Sequence, residues 1–175
     1  MIILITGGIK SGKSDFVLKL AEKSTSGSDL FFLATALPED EEMKSRIQRH
    51  QITRSKQWKT LEASGSILKC IKQVPQGSTV ILDCMTLWIA RIICKNDLDK
   101  IDTEYIKQKV RHIMEVAQEK EVDLFIVTNE VGWGIIPENK MARIFEDNLG
   151  VINKHMAEHA DEVYLMVSGI SIRIK

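Results

Sequence analysis

Zinc-ribbon spacing, a surplus of either charge and membrane-length apolar runs are all missing from this 175-residue chain. Its three cysteines, Cys70, Cys84 and Cys94, include no C-x-x-C pair, which leaves reduced, mostly buried thiols as the expectation. Lysine plus arginine number 24 and aspartate plus glutamate 24, so no net charge draws the chain to nucleic acid or to an anionic membrane. A small neutral or anionic substrate suits that balance better. No apolar stretch is long enough to span a bilayer, and Met1 leads into apolar residues with no basic leader or cleavage site, the pattern expected of a cytoplasmic protein. Internal repeats and low-complexity segments are also missing, and Ser24 to Ser28 reads as a short polar loop. The length suits one domain over residues 1–175 with a single well-buried core.

What is present begins at once. The apolar run Ile2-Ile3-Leu4-Ile5 is followed by Gly7-Gly8-Ile9-Lys10-Ser11-Gly12-Lys13-Ser14. The spacing G-x-x-x-x-G-K-S between a strand and a helix lets backbone N–H groups approach phosphate oxygens, with the positive end of the helix aimed at them. Lys13 would reach the β/γ-phosphates of a nucleoside triphosphate, and the Ser14 hydroxyl would take one position on Mg²⁺.

Strand-like and amphipathic helical runs then alternate, which predicts an α/β fold with a mostly parallel central sheet flanked by helices. Strands are predicted at Ile2 to Thr6, Leu30 to Thr35, Thr79 to Cys84, Asp123 to Asn129, Glu162 to Val167 and Ser171 to Ile174. The last two, separated by Ser168-Gly169-Ile170, would form an antiparallel C-terminal hairpin. Helices are predicted at Lys13 to Ser24, Glu39 to Thr53, Ser64 to Gln73, Thr86 to Lys95, Thr103 to Glu119 and Pro137 to His159. Pro137 suits a first helical turn, and Met141, Ile144, Phe145, Leu149, Ile152 and Met156 make one apolar stripe.

Val80-Ile81-Leu82 ends in Asp83 at the carboxyl edge of the sheet, where open α/β folds bind ligands. Asp83 there either holds the nucleotide's Mg²⁺ or N-caps the next helix. Thr128-Asn129-Glu130 reaches the same edge and either lines a site or forms the turn into Val131-Gly132-Trp133-Gly134. In the helix after the second strand, Met43, Ile47 and His50 fall at i, i+4 and i+7, which puts His50 on the apolar face. That position suits either a packed core histidine or an imidazole nucleophile toward phosphorus. Arg46, Arg49 and Arg54 either offset phosphate charge or form the solvated side of a basic helix.

These segments together resemble the bifunctional adenosylcobinamide kinase / adenosylcobinamide-phosphate guanylyltransferase (CobU/CobP) family along nearly the whole chain. The resemblance rests on Ile5-Thr6-Gly7-Gly8, Ala34-Thr35-Ala36, Asp40, Glu42-Met43, Arg46-Ile47 with His50, and Asp83-Cys84-Met85-Thr86. It continues in Thr128-Asn129-Glu130-Val131-Gly132, Gly134-Ile135-Ile136-Pro137-Glu138-Asn139, Ala142-Arg143, Phe145, Asp147 and Val167-Ser168-Gly169. The resemblance implies a RecA-like P-loop NTPase fold, GTP and ATP as candidate phosphate donors, and a homotrimer. It also implies two reactions, phosphorylation of adenosylcobinamide and transfer of GMP to adenosylcobinamide phosphate through a guanylylated histidine, which maps onto His50. Catalytic candidates are therefore His50, Lys13 and Asp83, with Ser14 and Asp83 on Mg²⁺. Nucleotide-binding candidates are Gly7 through Ser14 (Gly7, Gly8, Ile9, Lys10, Ser11, Gly12, Lys13, Ser14), Thr35 and Glu130.

The chain departs from the family pattern at Lys10, Arg49, Glu146 and Lys154, where arginine, histidine, arginine and glutamine are common. A reversed charge at Glu146 bears on how guanine or phosphate is handled. Other classes fit less well. A GTPase switch would need an Asn-Lys-x-Asp segment and an Asp-x-x-Gly after the third strand, and the chain has neither. A single-step small-molecule kinase, with His50 only packing, is the main alternative, and a non-enzymatic nucleotide-binding module leaves Asp83 and the polar strand ends without a task. Trp58, Trp88 and Trp133 are expected in the core or at a subunit contact, with stacking on a large ligand as the alternative.

Overall fold

Ile2 and Leu4 face one way and Ile3 and Ile5 the other, and both pairs are fully buried, so the strand they form must be covered on both sides. A computed structural model describes residues 1–24, 29–38, 40–52 and 54–175, apart from the side chains of Arg46, Arg49, His50 and Asp99. The strands are β1 (Ile2–Gly7), β2 (Leu30–Ala34), β3 (Lys59–Glu62), β4 (Thr79–Asp83), β5 (Asp123–Val127), β6 (Glu162–Val167) and β7 (Ile170–Arg173). The helices are α1 (Lys13–Ser24), α2 (Glu41–Ile52), α3 (Ile67–Gln73), α4 (Met85–Lys95), α5 (Thr103–Glu119) and α6 (Lys140–His159), with a 3₁₀ turn at Leu98–Lys100.

The seven strands form one sheet in the order β3-β2-β4-β5-β1-β6-β7, parallel except for the β6–β7 pair. One face packs against α3, α4, α5 and α6 through Ile71, Ile89, Val110 and Leu149; the other packs against Val17 and Ala21 of α1. Because β1 lies between β5 and β6, the loop after it emerges near the middle of the carboxyl edge, where crossovers to either face leave a crevice.

The expected α/β sheet and its C-terminal hairpin are present, with the hairpin tighter than expected. Val167 pairs with Ile170, leaving Ser168 (φ 49°) and Gly169 (φ 85°) as a two-residue turn, the left-handed pair that matches the twist of a hairpin. The expected start of the last helix at Pro137 is corrected: Asn139 caps it, its side chain accepting from the Ala142 N–H at 3.2 Å, and α6 begins at Lys140. Likewise Ser66 accepts from the Lys69 N–H and starts α3 at Ile67 rather than Ser64. The α2 helix begins at Glu41, after Asp40 accepts from the Met43 N–H at 2.7 Å. Its predicted ends, Glu39 and Thr53, lie outside the described residues, as does most of the Ser24 to Ser28 loop. Strand β3 was not expected; Lys59, Thr60 and Glu62 are exposed on an edge strand, so no apolar alternation marks it.

Leu149 is fully buried where α6 meets the sheet. Leu149→Ala should cost about 2–5 kcal/mol of stability, read as a lower urea midpoint with an unchanged slope.

Candidate nucleotide site

The loop between β1 and α1 wraps around its own lysine. Lys13 is 8 % exposed, and its Nζ donates to Gly7 O at 3.0 Å, Gly8 O at 2.6 Å and Ser11 Oγ at 3.4 Å. Burial lowers the Lys13 pKa from its ordinary value, an effect opposed by the negative charge of Asp83. Two glycines make the wrap sterically feasible. Gly7 has φ 146° and would place a Cβ 2.4 Å from Met166 O, while Gly12 has φ 92° and packs toward Gly169 Cα, 3.4 Å from where its Cβ would stand. The Gly169 N–H also donates to Ser11 O at 3.0 Å, so the tip of the C-terminal hairpin props the loop from behind. Gly8, Ile9 and Lys10 are exposed on the outer side of the loop, with Lys10 left-handed at φ 57°.

Register aligns the opposite wall. Ala34, Asp83, Val127, Ile5 and Tyr164 form one row across β2, β4, β5, β1 and β6. Asp83 is thus level with the last residues before the loop, and its Oδ2 accepts from Ser14 Oγ at 3.0 Å. The α4 cap position is Cys84, with no side-chain cap bond, so the capping alternative for Asp83 is not the arrangement found. A hydroxyl and a carboxylate converging beside a buried ammonium are hard oxygen donors of the kind Mg²⁺ takes, and these two residues fit that ion.

One step beyond that row the strands turn polar. Thr6, Thr35 and Thr128 are all buried there and all satisfied. Thr35 Oγ1 donates to Cys84 O and accepts from Cys84 N, both at 2.8 Å, so this candidate fixes the backbone that follows Asp83. Glu130 Oε1 accepts from Thr6 Oγ1 at 2.6 Å and from Asn153 Nδ2 at 3.2 Å. Asn153 in turn donates to Asn129 O and accepts from Thr128 Oγ1, and Thr86 Oγ1 accepts the Asn129 N–H at 2.8 Å. The half-buried Glu130 carboxylate is therefore held at the mouth between β1 and β5.

Arg91 donates to Thr35 O and Ser64 O at 2.6 and 2.8 Å, tying β2 to α4. Arg54 lies 3.3 Å from the centroid of the Phe32 ring and feels the charge of Asp83, with burial lowering its pKa. Cys84, beside the site, is no nucleophile at neutral pH, since burial first and Asp83 second push its thiol up to about 12. Cys70 is also buried and Cys94 is exposed.

His50 falls in α2, but its side chain lies outside the described residues, as do those of Arg46 and Arg49. Met43 and Ile47 are half-buried, and no described residue of α2 is buried. Trp58 and Trp88 are core residues, whereas Trp133 is 72 % exposed. Glu146 lines a hollow of about 360 Å³ together with Gly132, Ile136, Arg143 and Asp147. Lys154 is on the surface, 3.9 Å from Glu158. The polar network of Thr6, Thr86 and Asn153 behind Glu130 was not anticipated, although a hydroxyl at the end of three separate strands is a signal visible in the sequence.

Comparison with known proteins decides the family. The model of the cobinamide kinase / cobinamide phosphate guanyltransferase family matches residues 3–174. The chain belongs to this family. It is 34 % identical over 184 aligned positions to the bifunctional adenosylcobalamin biosynthesis protein CobU of Escherichia coli strain K12, with all of both chains covered. It is 30 % identical to the CobP protein of Pseudomonas aeruginosa, covering 98 % of this chain and 96 % of that one. Among solved structures it is similar to the flagellar accessory protein FlaH of Methanocaldococcus jannaschii (TM-score 0.51, 15 % identity, 99 % of this chain and 77 % of that one). An ATPase from the type III secretion system of pathogenic bacteria matches with TM-score 0.56 and 9 % identity over 94 % of this chain and 50 % of that one. These likenesses carry the fold, that of a RecA-like P-loop NTPase, as expected from the family resemblance. No described helix is long and apolar enough to cross a membrane.

The packing of Gly7 against Met166 sets a contrast between neighbouring glycines. Gly7→Ala should lower the melting temperature by several degrees and weaken binding of a fluorescent GTP analogue. Gly8→Ala, whose added methyl meets nothing within 4 Å, should retain the wild-type melting temperature.

Proposed function

We propose that this chain, acting as one domain over residues 1–175, carries out both reactions of its family. It first phosphorylates adenosylcobinamide, then transfers GMP from GTP to the product to give adenosylcobinamide-GDP. The observation that carries the reading is the convergence of Lys13, Ser14 and Asp83 at the mouth of the phosphate loop.

In the first reaction the substrate hydroxyl oxygen attacks the γ-phosphorus of the donor, ATP or GTP. The bond to the β–γ bridging oxygen breaks, and the hydroxyl proton passes to a base. Lys13 exchanges its bonds to Gly7 O and Gly8 O for phosphate oxygens, and the loop N–H groups hold the same oxygens without reorganising. Mg²⁺, held by Ser14 and Asp83, would supply charge neutralisation on the phosphates.

In the second reaction a ring nitrogen of His50 attacks the α-phosphorus of GTP, the α–β anhydride bond breaks, and pyrophosphate leaves against Lys13. A phosphate oxygen of adenosylcobinamide phosphate then attacks the resulting phosphoramidate. The P–N bond breaks and its electron pair returns to the imidazole. Helical period puts position 50 on the stripe of Met43 and Ile47. No described residue of α2 is buried, which makes displacement of that helix cheap and suits a nucleophile that withdraws during the kinase step. The active form is a cytoplasmic homotrimer.

His50→Ala should eliminate the gain of one guanylyl group seen by intact mass after incubation with GTP and Mg²⁺, while phosphorylation of adenosylcobinamide persists. Wild-type protein that gains no such mass would reduce the enzyme to a kinase. Labelling that survives in the variant would move the nucleophile elsewhere. Asp83→Asn should lower turnover at least tenfold and raise the Mg²⁺ concentration for half-maximal rate; unchanged Mg²⁺ dependence would remove Asp83 from the ion.

A further inference from the structure

Far along the chain from the phosphate loop, the last turns of α6 carry His155, Glu158 and His159 at i, i+3 and i+4, on one face of the helix. One ligand atom from each, a ring nitrogen or a carboxylate oxygen, lies within 4.8 Å of the other two. The two rings are 4.4 Å apart between centroids.

A second observation is independent of that spacing. His155 is 3 % exposed, and its Nε2 is the one buried side-chain nitrogen or oxygen without a hydrogen-bond partner among the described residues. A native fold rarely leaves such an atom unmatched unless something else supplies the partner. His159 is set up in a complementary way. Its Nδ1 lies 2.8 Å from the His155 carbonyl oxygen, which makes Nδ1 the protonated donor and leaves the Nε2 lone pair free. Donation from one ring nitrogen to a backbone carbonyl is how metal-binding histidines are commonly oriented.

The geometry points to a divalent transition-metal site, Zn²⁺ in chemical class, held by His155, Glu158 and His159. Two imidazoles and a carboxylate make three protein ligands of a tetrahedral ion and leave the fourth position to water. The helix carboxyl end favours a cation. Opposing charges come from Lys107 and Arg111 of α5, whose fields reach His155, and from Lys154, 3.9 Å from Glu158. Lys107 is itself paired with Glu104 at 2.8 Å. These cations disfavour a hard ion bound by charge alone, such as Mg²⁺, and leave nitrogen-seeking ions of the Zn²⁺ type. Lys175 Nζ occupies the carbonyls of Ala157, Glu158 and Ala160, not the ligand side chains, so it does not fill the site. A bound ion would tie together the end of α6 just before β6, the strand beside β1.

The test uses metal-stripped, full-length protein without nucleotide. Calorimetric titration with Zn²⁺ should give about one equivalent, and Co²⁺ should give a visible ligand-field band. Zn²⁺ at 100-fold above its Kd should raise the melting temperature by about 5 °C or more. His159→Gln, a change at an exposed residue, should weaken binding at least tenfold, abolish the band and leave kinase turnover unchanged, whereas Cys94→Ser should bind as the wild type does. Zn²⁺ binding that survives His159→Gln, binding lost with Cys94→Ser, or no saturable binding to the wild type would each overturn the assignment.

Discussion

A buried ammonium needs oxygen atoms around it, and Lys13 finds them on the backbone of the loop that leads to it. That requirement shapes the whole carboxyl edge. The carbonyls of Gly7 and Gly8 turn inward to meet Nζ, which demands the φ of 146° at Gly7 and the close seat of that residue against Met166. Met166 belongs to β6, whose hairpin turn also supports Ser11 and Gly12. The phosphate loop is therefore a shared product of the first and last segments of the fold. The parallel β1–β6 pairing that joins them is as much part of the site as the glycines.

The same edge shows how a sheet of apolar strands ends in chemistry. Up to the row of Ile5, Val127 and Asp83, side chains pack into one core or the other; one residue later Thr6, Thr35 and Thr128 begin a hydrogen-bonded polar layer. Each hydroxyl is small enough to be buried and has a partner that satisfies it. The layer fixes Glu130 and the backbone after Asp83 while keeping Ser14 and Asp83 within reach of each other. Rigid support of this kind suits electrostatic work on phosphates, where donors must be in place before charge develops. The nucleophile proposed for the second reaction sits instead on α2, where no described residue is buried, and the contrast follows the two tasks.

Much of this was legible in the residues, for identifiable reasons. The glycine-lysine-serine spacing after an apolar strand has few physical solutions, and Asp83 ends an apolar run that can only be central. The alternation of strands and helices was plain because parallel strands are apolar throughout. Strand β3 was hidden because an edge strand has little to bury, and its Lys59 and Glu62 look like loop. Pro137 suits a first turn and suggests an earlier start for α6, yet the Asn139 side chain captures the Ala142 N–H and sets the boundary. Single-residue hydroxyl partners such as Thr35 with Cys84 depend on register between strands far apart in the chain. The proposed ligand face of α6 has no sequence signal of its own, because His155 and His159 flank an apolar stripe that explains the helix without them.

In the proposed reactions the carbonyls that hold Lys13 are placeholders for a triphosphate. The most direct measurement is a crystal structure with Mg²⁺ and a GTP analogue that resists both transfers. Lys13 Nζ should then have moved from Gly7 O and Gly8 O onto phosphate oxygens, with an ion between Ser14 and Asp83. Phosphates bound away from the loop, with Lys13 still on its carbonyls and Ser14 still on Asp83, would contradict it.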